Sequence, residues 1–165
     1  MTITVSIVLN EAEQKLATFL ATKRYQNARS KGIKDNKIGD QSNMATDLEG
    51  MAAEIAACRL LNVYPDLQTE NIPVHDLITG QGYTVDVKVT KYESGKLLAV
   101  RNKIKHPSDF YMLMIGTFPT YRCAGFAPKD DLLCESTLTD LGKGEGHALN
   151  QSELIPIGIW SKMFN

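Results

Sequence analysis

The chain has 165 residues and a mass of 18.3 kDa, the size of one ordinary domain, able to bury a core without disulfide or metal staples. Hydrophobic residues make up 43% and charged residues 22%, which argues against wholesale disorder and a fibrous repeat; no apolar run approaches the roughly 20 residues that cross a bilayer. The net charge is −1 at pH 7, so any attraction to a polyanion has to come from local clustering of charge.

The opening MTITVSIVL alternates as a short strand or arm, and with no basic n-region or small-residue cleavage site it predicts a soluble, cytoplasmic protein. Asn10 followed three residues later by Glu13 is a capping box, and Leu16, Phe19 and Leu20 continue it as a helix to about Ala28. Ser30 to Ala45 is polar, basic and glycine-containing, hence a loop. A second capping box, Thr46 with Glu49, predicts a helix to Leu61. After a loop with Pro65 and Pro73, IPVHDLI, TGQG and YTVDVKVT read as strand, turn and returning strand. KLLAV, FYMLMIG and YRCAGFA are further strands, and Pro128 starts a short helix. LGKGEGH reads as a flexible loop and SELIPIGIW as a return to the sheet edge. The expectation is one α/β domain over residues 1–165, a central mixed sheet flanked by helices.

Cys58, Cys123 and Cys134 are scattered and never paired as C-x-x-C, which argues against a disulfide framework or a cysteine zinc site. Twelve of the 18 basic residues fall in two stretches, Lys23, Arg24, Arg29, Lys31, Lys34 and Lys37, then Lys88, Lys91, Lys96, Arg101, Lys103 and Lys105. Each is a solvated face or a local polyanion site.

Glu54 is the one carboxylate in GMAAEIAAC, a segment apolar almost all round as a helix, so it needs a basic partner, a polar network or a metal. In YTVDVKVT, Val85, Val87 and Val89 share the core face, while Asp86 and Lys88 share the other with Thr84 and Thr90. A hairpin turning at TGQG sets Asp76 nearly opposite Asp86, and two like charges across a strand pair call for positive charge between them. Three carboxylates with no His or Cys spacing are hard oxygen donors suited to Mg²⁺ or Mn²⁺, and a lysine beside them suits phosphodiester hydrolysis.

Glu54 in Gly50-Met-Ala-Ala-Glu54, then Asp76, then Asp86-Val87-Lys88, resembles the PD-(D/E)XK nuclease superfamily in residue type and order. The resemblance covers Thr46 to Thr90, and more loosely FYMLMIG and YRCAGFAPKDDL; His75 stands where the family name has proline. It implies a restriction-endonuclease-like core and a Mg²⁺-dependent endonuclease acting on DNA, with Mn²⁺ as substitute and RNA as a further substrate class. Asp76, Asp86 and the carbonyl of Val87 would be metal ligands, Glu54 would bind metal directly or through water, and Lys88 would be the catalytic lysine. The small stand-alone members are bacterial or phage proteins, many of them homodimers, since cutting two strands takes two sites.

Lys91, Arg101, Lys103 and Lys105, with Asn102 and His106, form the expected DNA-contacting edge. Tyr92 and Tyr121 are base-stacking candidates or core residues, and His75 is a ligand or a surface hydrogen-bonder. LGKGEGH lacks the Walker spacing, and no serine sits in G-x-S-x-G. The competing expectation is a module on the same fold that binds nucleic acid or protein without cutting.

Overall fold

The computed structural model describes residues 4–32, 43–70 and 75–164. In chain order the strands are β1 (Ser6–Val8), β2 (Leu77–Ile78), β3 (Thr84–Thr90), β4 (Leu97–Val100), β5 (Phe110–Thr117), β6 (Thr120–Pro128), β7 (Leu138–Asp140) and β8 (Glu145–Leu149). The α-helices are α1 (Glu11–Ser30), α2 (Asn43–Leu61), α3 (Lys129–Leu132) and α4 (Trp160–Phe164). The protein is mixed α/β. Five strands form one sheet in the order β1-β6-β5-β3-β2, antiparallel except for the β3–β5 pair, and β4, β8 and β7 form a second, antiparallel sheet. Asp109, just before β5, fastens the start of the parallel pair: its carboxylate accepts from the Thr84 N–H at 2.9 Å and hydroxyl at 3.0 Å.

Both faces of the larger sheet are covered. On β5 the side chains alternate without a break, Phe110, Met112 and Met114 into the core under the helices and Tyr111, Leu113 and Ile115 into the core under the smaller sheet. Leu97, Ala99 and Leu149 close that second core from the smaller sheet. In β6 the register shifts between Leu113 and Met114, leaving Ala124 as the extra residue. The bulge reverses the phase of the strand, so Tyr121, Cys123 and Phe126 all face the helices.

Asn10 and Glu13 make the reciprocal capping box predicted for α1: the Glu13 N–H donates to Asn10 Oδ1 at 2.9 Å and the Asn10 N–H to Glu13 Oε2 at 2.8 Å. The Thr46–Glu49 box does not open α2, which already begins at Asn43. Glu49 lies inside the helix and accepts from the Phe118 N–H, 3.1 Å from each carboxylate oxygen, and from the Tyr121 hydroxyl at 2.6 Å. Tyr121 is 1% exposed, so it is a core residue and not a stacking platform. Glu49→Ala strips a buried hydroxyl and a backbone donor of their acceptor, and is expected to cost about 1–3 kcal/mol in urea or thermal unfolding without altering activity.

Other sequence expectations are corrected. Of LGKGEGH, Leu141–Gly144 is the tight connection of the β7–β8 hairpin, closed by the Leu141 N–H donating to the Gly144 carbonyl at 2.9 Å, and Glu145 to His147 already belong to β8. SELIPIGIW joins the sheet by one bridge, where Ile155 and Phe126 exchange backbone bonds, and its end turns into α4, whose Trp160 is buried against Phe126. KLLAV belongs to the smaller sheet. Among the described residues of IPVHDLI, Leu77 and Ile78 are strand; residues 71–74 lie outside the described residues, as do Lys34, Lys37 and most of the loop predicted from Ser30 to Ala45. Cys58 and Cys123 are buried free thiols, as expected, whereas Cys134 is half-exposed. Among the described residues no helix is long and apolar enough to cross a membrane.

Candidate active site

The β2–β3 hairpin pairs Leu77 with Val85 and Ile78 with Thr84, and the Asp76 N–H donates to the Val85 carbonyl at 3.1 Å. That register sets Asp76 across from Asp86, as the turn position predicts. The two carboxylates avoid each other by taking different donors. Asp76 Oδ2 accepts from the Val87 N–H at 2.6 Å. Asp86 lies on the polar face of β3, opposite Val85 and Val87, and is 1% exposed there, on the side of the larger sheet that the smaller sheet covers.

Asp86 is held between two ammoniums. Its Oδ1 accepts from Lys88, two residues along the same strand face, and its Oδ2 from Lys103 at 2.5 Å. Lys103 arrives from a 3₁₀ turn, Arg101–Lys105, that directly follows β4. The sequence reading put Lys103 on a DNA-contacting edge; the structure puts its ammonium inside the acidic cluster.

Glu54 comes from the opposite side of the sheet, on α2, between Ala53 and Ile55 in the helix-side core. Its basic partner is Arg24 of α1, Nη1 to Oε2 at 3.4 Å. Arg24 also donates to the carbonyls of Gln68 and Asp66, both at 3.0 Å, while Asn27 and Lys31 donate to those of Thr69 and Glu70, both at 2.7 Å. Arg24 and Lys31, from the first basic stretch, therefore fasten the segment after α2 to α1.

The electrostatics separate the three acids. Burial, then the charge of Asp76, holds the Glu54 carboxyl well above the usual carboxylate range, against the pull of Arg24. Burial and the charge of Asp86 raise Asp76, opposed by Lys88 and the Val87 N–H. Burial alone would raise Asp86 too, but Lys88 and Lys103 outweigh it and hold the group below its ordinary value. Lys88 stays an ammonium: burial lowers its pKa, but Asp86 and Asp76 together raise it above normal.

The donor set suits a hard divalent cation. Glu54, Asp76 and Asp86 are hard oxygen donors, and burial first and neighbouring negative charge second raise Glu54 and Asp76. Among the described residues no three His, Cys, Asp or Glu side chains are closed up around a common point, and the positive charge at Asp86 is supplied by lysines.

The remaining predicted residues lie apart from this cluster. The Lys91 ammonium sits over the Tyr92 ring, 5.3 Å from its centroid. Arg101 pairs with Glu145 at 2.5 Å on the surface, and Lys105 is exposed on the same turn as Lys103. His75 Nδ1 lies 2.7 Å from the hydroxyl of buried Ser108, whose N–H donates to Tyr111, so its bond goes to the scaffold. Two functional partners escaped the sequence reading, Arg24 for Glu54 and Lys103 for Asp86. Comparison of the chain with protein-family models, with curated proteins and with solved structures finds no match.

Proposed function

We propose that this protein is a Mg²⁺- or Mn²⁺-dependent nuclease, an endonuclease on DNA, with a restriction-endonuclease-like core of the PD-(D/E)XK type. One observation carries the reading: Asp76, Asp86 and Lys88 meet on one hairpin, and the charge of Asp76 is felt at Glu54 on the neighbouring buried helix. Buried like charges cost stability, and their retention in one cluster with a strand lysine suits a site built for a cation and a phosphate.

Asp76 and Asp86 would hold the cation, with the Val87 carbonyl between them and Glu54 reaching it directly or through water. A divalent cation bound there supplies Lewis acidity and neutralises charge on the phosphate. Lys88, fixed by Asp86, presents its remaining N–H donors to orient the attacking water and to stabilise negative charge that develops on the phosphoryl oxygens. Asp76 keeps its orientation through the Val87 N–H, so strand geometry sets the spacing between ligand and lysine. Arg101 and Lys105 stand on the same exposed turn as Lys103 and suit backbone phosphates.

The test is a panel of supercoiled, linear duplex, single-stranded and four-way-junction DNA, each with Mg²⁺, Mn²⁺ or chelator, for the wild type and Asp86→Asn. Cleavage that needs the metal and is lost in Asp86→Asn is the expected result. Salt-sensitive DNA retention with no cleavage under any metal would instead assign a binding module.

A further inference from the structure

The two ammoniums on Asp86 have unlike mounts. Lys88 lies within β3, with β2 on one side of that strand and β5 on the other, where it pairs in register with Leu113. Lys103 rides on the Arg101–Lys105 turn, which buries none of its residues and has no side-chain cap at Val100. The turn follows β4, which among the described residues is an edge strand paired with β8. The Lys103 side chain is 28% exposed while that of Asp86 is 2% exposed, so the lysine reaches from the surface to a carboxylate that solvent does not. Arg101, Asn102, Ile104 and Lys105 around it are all exposed.

We propose that Lys103 is a tethered cation that occupies Asp86 Oδ2 until a nucleic-acid phosphate draws its ammonium away, so that binding of the divalent cation and of the nucleic acid are positively coupled. The inference rests on the metal-dependent reading of the site. An ammonium at 2.5 Å from the oxygen blocks one ligand position and repels an arriving dication, the more strongly because the site is shielded from water. A phosphodiester lying along the turn that carries Arg101, Lys103 and Lys105 offers Lys103 an exposed acceptor of the same charge type. Moving the ammonium to that acceptor frees the Asp86 oxygen. Each ligand thereby removes the obstacle to the other, and the effect is reciprocal in free energy. Metal retained without substrate would be weakly held, and the site would be completed on the nucleic acid.

Direct Mn²⁺ binding, read from the electron paramagnetic resonance of free Mn²⁺, tests this without reference to turnover. The wild type, Lys103→Gln, Lys103→Met and Asp86→Asn are each titrated alone and with a phosphorothioate DNA oligonucleotide that resists cleavage. DNA is expected to tighten Mn²⁺ binding to the wild type by roughly 5–150-fold, the ordinary range of allosteric coupling. Lys103→Gln, which keeps a hydrogen-bond donor for Asp86 without the charge, is expected to bind Mn²⁺ tightly without DNA and to gain little from it; Lys103→Met repeats the result. Mn²⁺ binding that Asp86→Asn abolishes, but that neither Lys103 variant tightens or uncouples from DNA, overturns the tether and leaves the metal site standing. A wild type that binds no Mn²⁺ with or without DNA overturns the metal site, and the tether with it. Should neither Lys103 variant fold, Mn²⁺ affinity of the wild type that is indifferent to DNA is enough to reject the coupling.

Discussion

Lys88→Met is expected to lower metal-dependent DNA cleavage by roughly 10²–10⁴-fold, the range lost when a positioned proton donor or charge stabiliser is removed from a reacting centre. The same change leaves Asp86, 1% exposed, with Lys103 as its one remaining ion-pair partner among the described residues. Breaking a fully buried pair costs about 3–5 kcal/mol; here Lys103 remains and the Lys88 side chain is 31% exposed, which brings the expected loss to about 1–3 kcal/mol. Lys88→Arg separates the two roles. Its guanidinium still neutralises Asp86, so thermal unfolding should return close to wild type. Its bulk and planar fork do not reproduce a compact ammonium, so single-turnover cleavage should stay far below wild type. A Lys88→Met protein that cleaves DNA within a few-fold of wild type would remove Lys88 from the proposed chemistry.

Glu54→Gln is expected to stabilise the metal-free protein at neutral pH while reducing cleavage. Glu54 has a folded pKa well above its unfolded value, through burial and the charge of Asp76. A carboxyl of that kind contributes its full stability at pH below the ordinary carboxylate range, about 4, and loses it as pH rises through the folded value. Glutamine has no such loss. The variant and the wild type should therefore unfold alike near pH 4 and diverge towards pH 7, by roughly 2–4 °C in Tm for each kcal/mol relieved in a protein of this size. Arg24 loses a charged partner in the variant but keeps an amide oxygen there as acceptor, together with the carbonyls of Gln68 and Asp66. Asp86→Asn should run the other way. Its folded pKa is depressed by Lys88 and Lys103, so the wild type has the advantage at neutral pH and the difference closes as pH falls through that lowered value. Opposite signs for two acids of one cluster are hard to produce by general destabilisation. If Glu54→Gln were less stable at neutral pH than near pH 4, relative to wild type, the Arg24 pair would outweigh the crowding of negative charge.

The local features of the chain were legible. The Asn10–Glu13 capping box is complete within one turn of helix, and the structure forms it as read. The register that sets Asp76 against Asp86 follows from a turn only a few residues long, with alternation deciding which side chains share a face. The apolar surroundings of Glu54 said correctly that its helix is buried and that the carboxylate needs a partner, although the Glu54 side chain itself keeps 15% exposure beside Arg24.

What stayed hidden depends on contacts far apart in the chain. Glu49 looked like the end of a capping box by its distance from Thr46, but its acceptor oxygens serve Phe118 and Tyr121, 69 and 72 positions away. Arg24 reaches Glu54 across 30 positions because α1 packs on α2, and no pattern within either helix names that partner. β3 showed an apolar face and a polar one; that the polar face is also covered depends on the separate sheet of β4, β8 and β7. Lys103 is the clearest case. Its sequence neighbours are exposed and basic, which reads as a surface for phosphate, and only the path of β4 over the larger sheet brings its ammonium to Asp86. Periodicity and capping are properties of a few adjacent residues, so the sequence by itself determined helix α1 and its cap, the principal strands, the hairpin register and the apolar setting of Glu54. Which cation neutralises a buried carboxylate is decided by the chain that passes over it, and only the tertiary structure could assign Arg24 to Glu54 and Lys103 to Asp86.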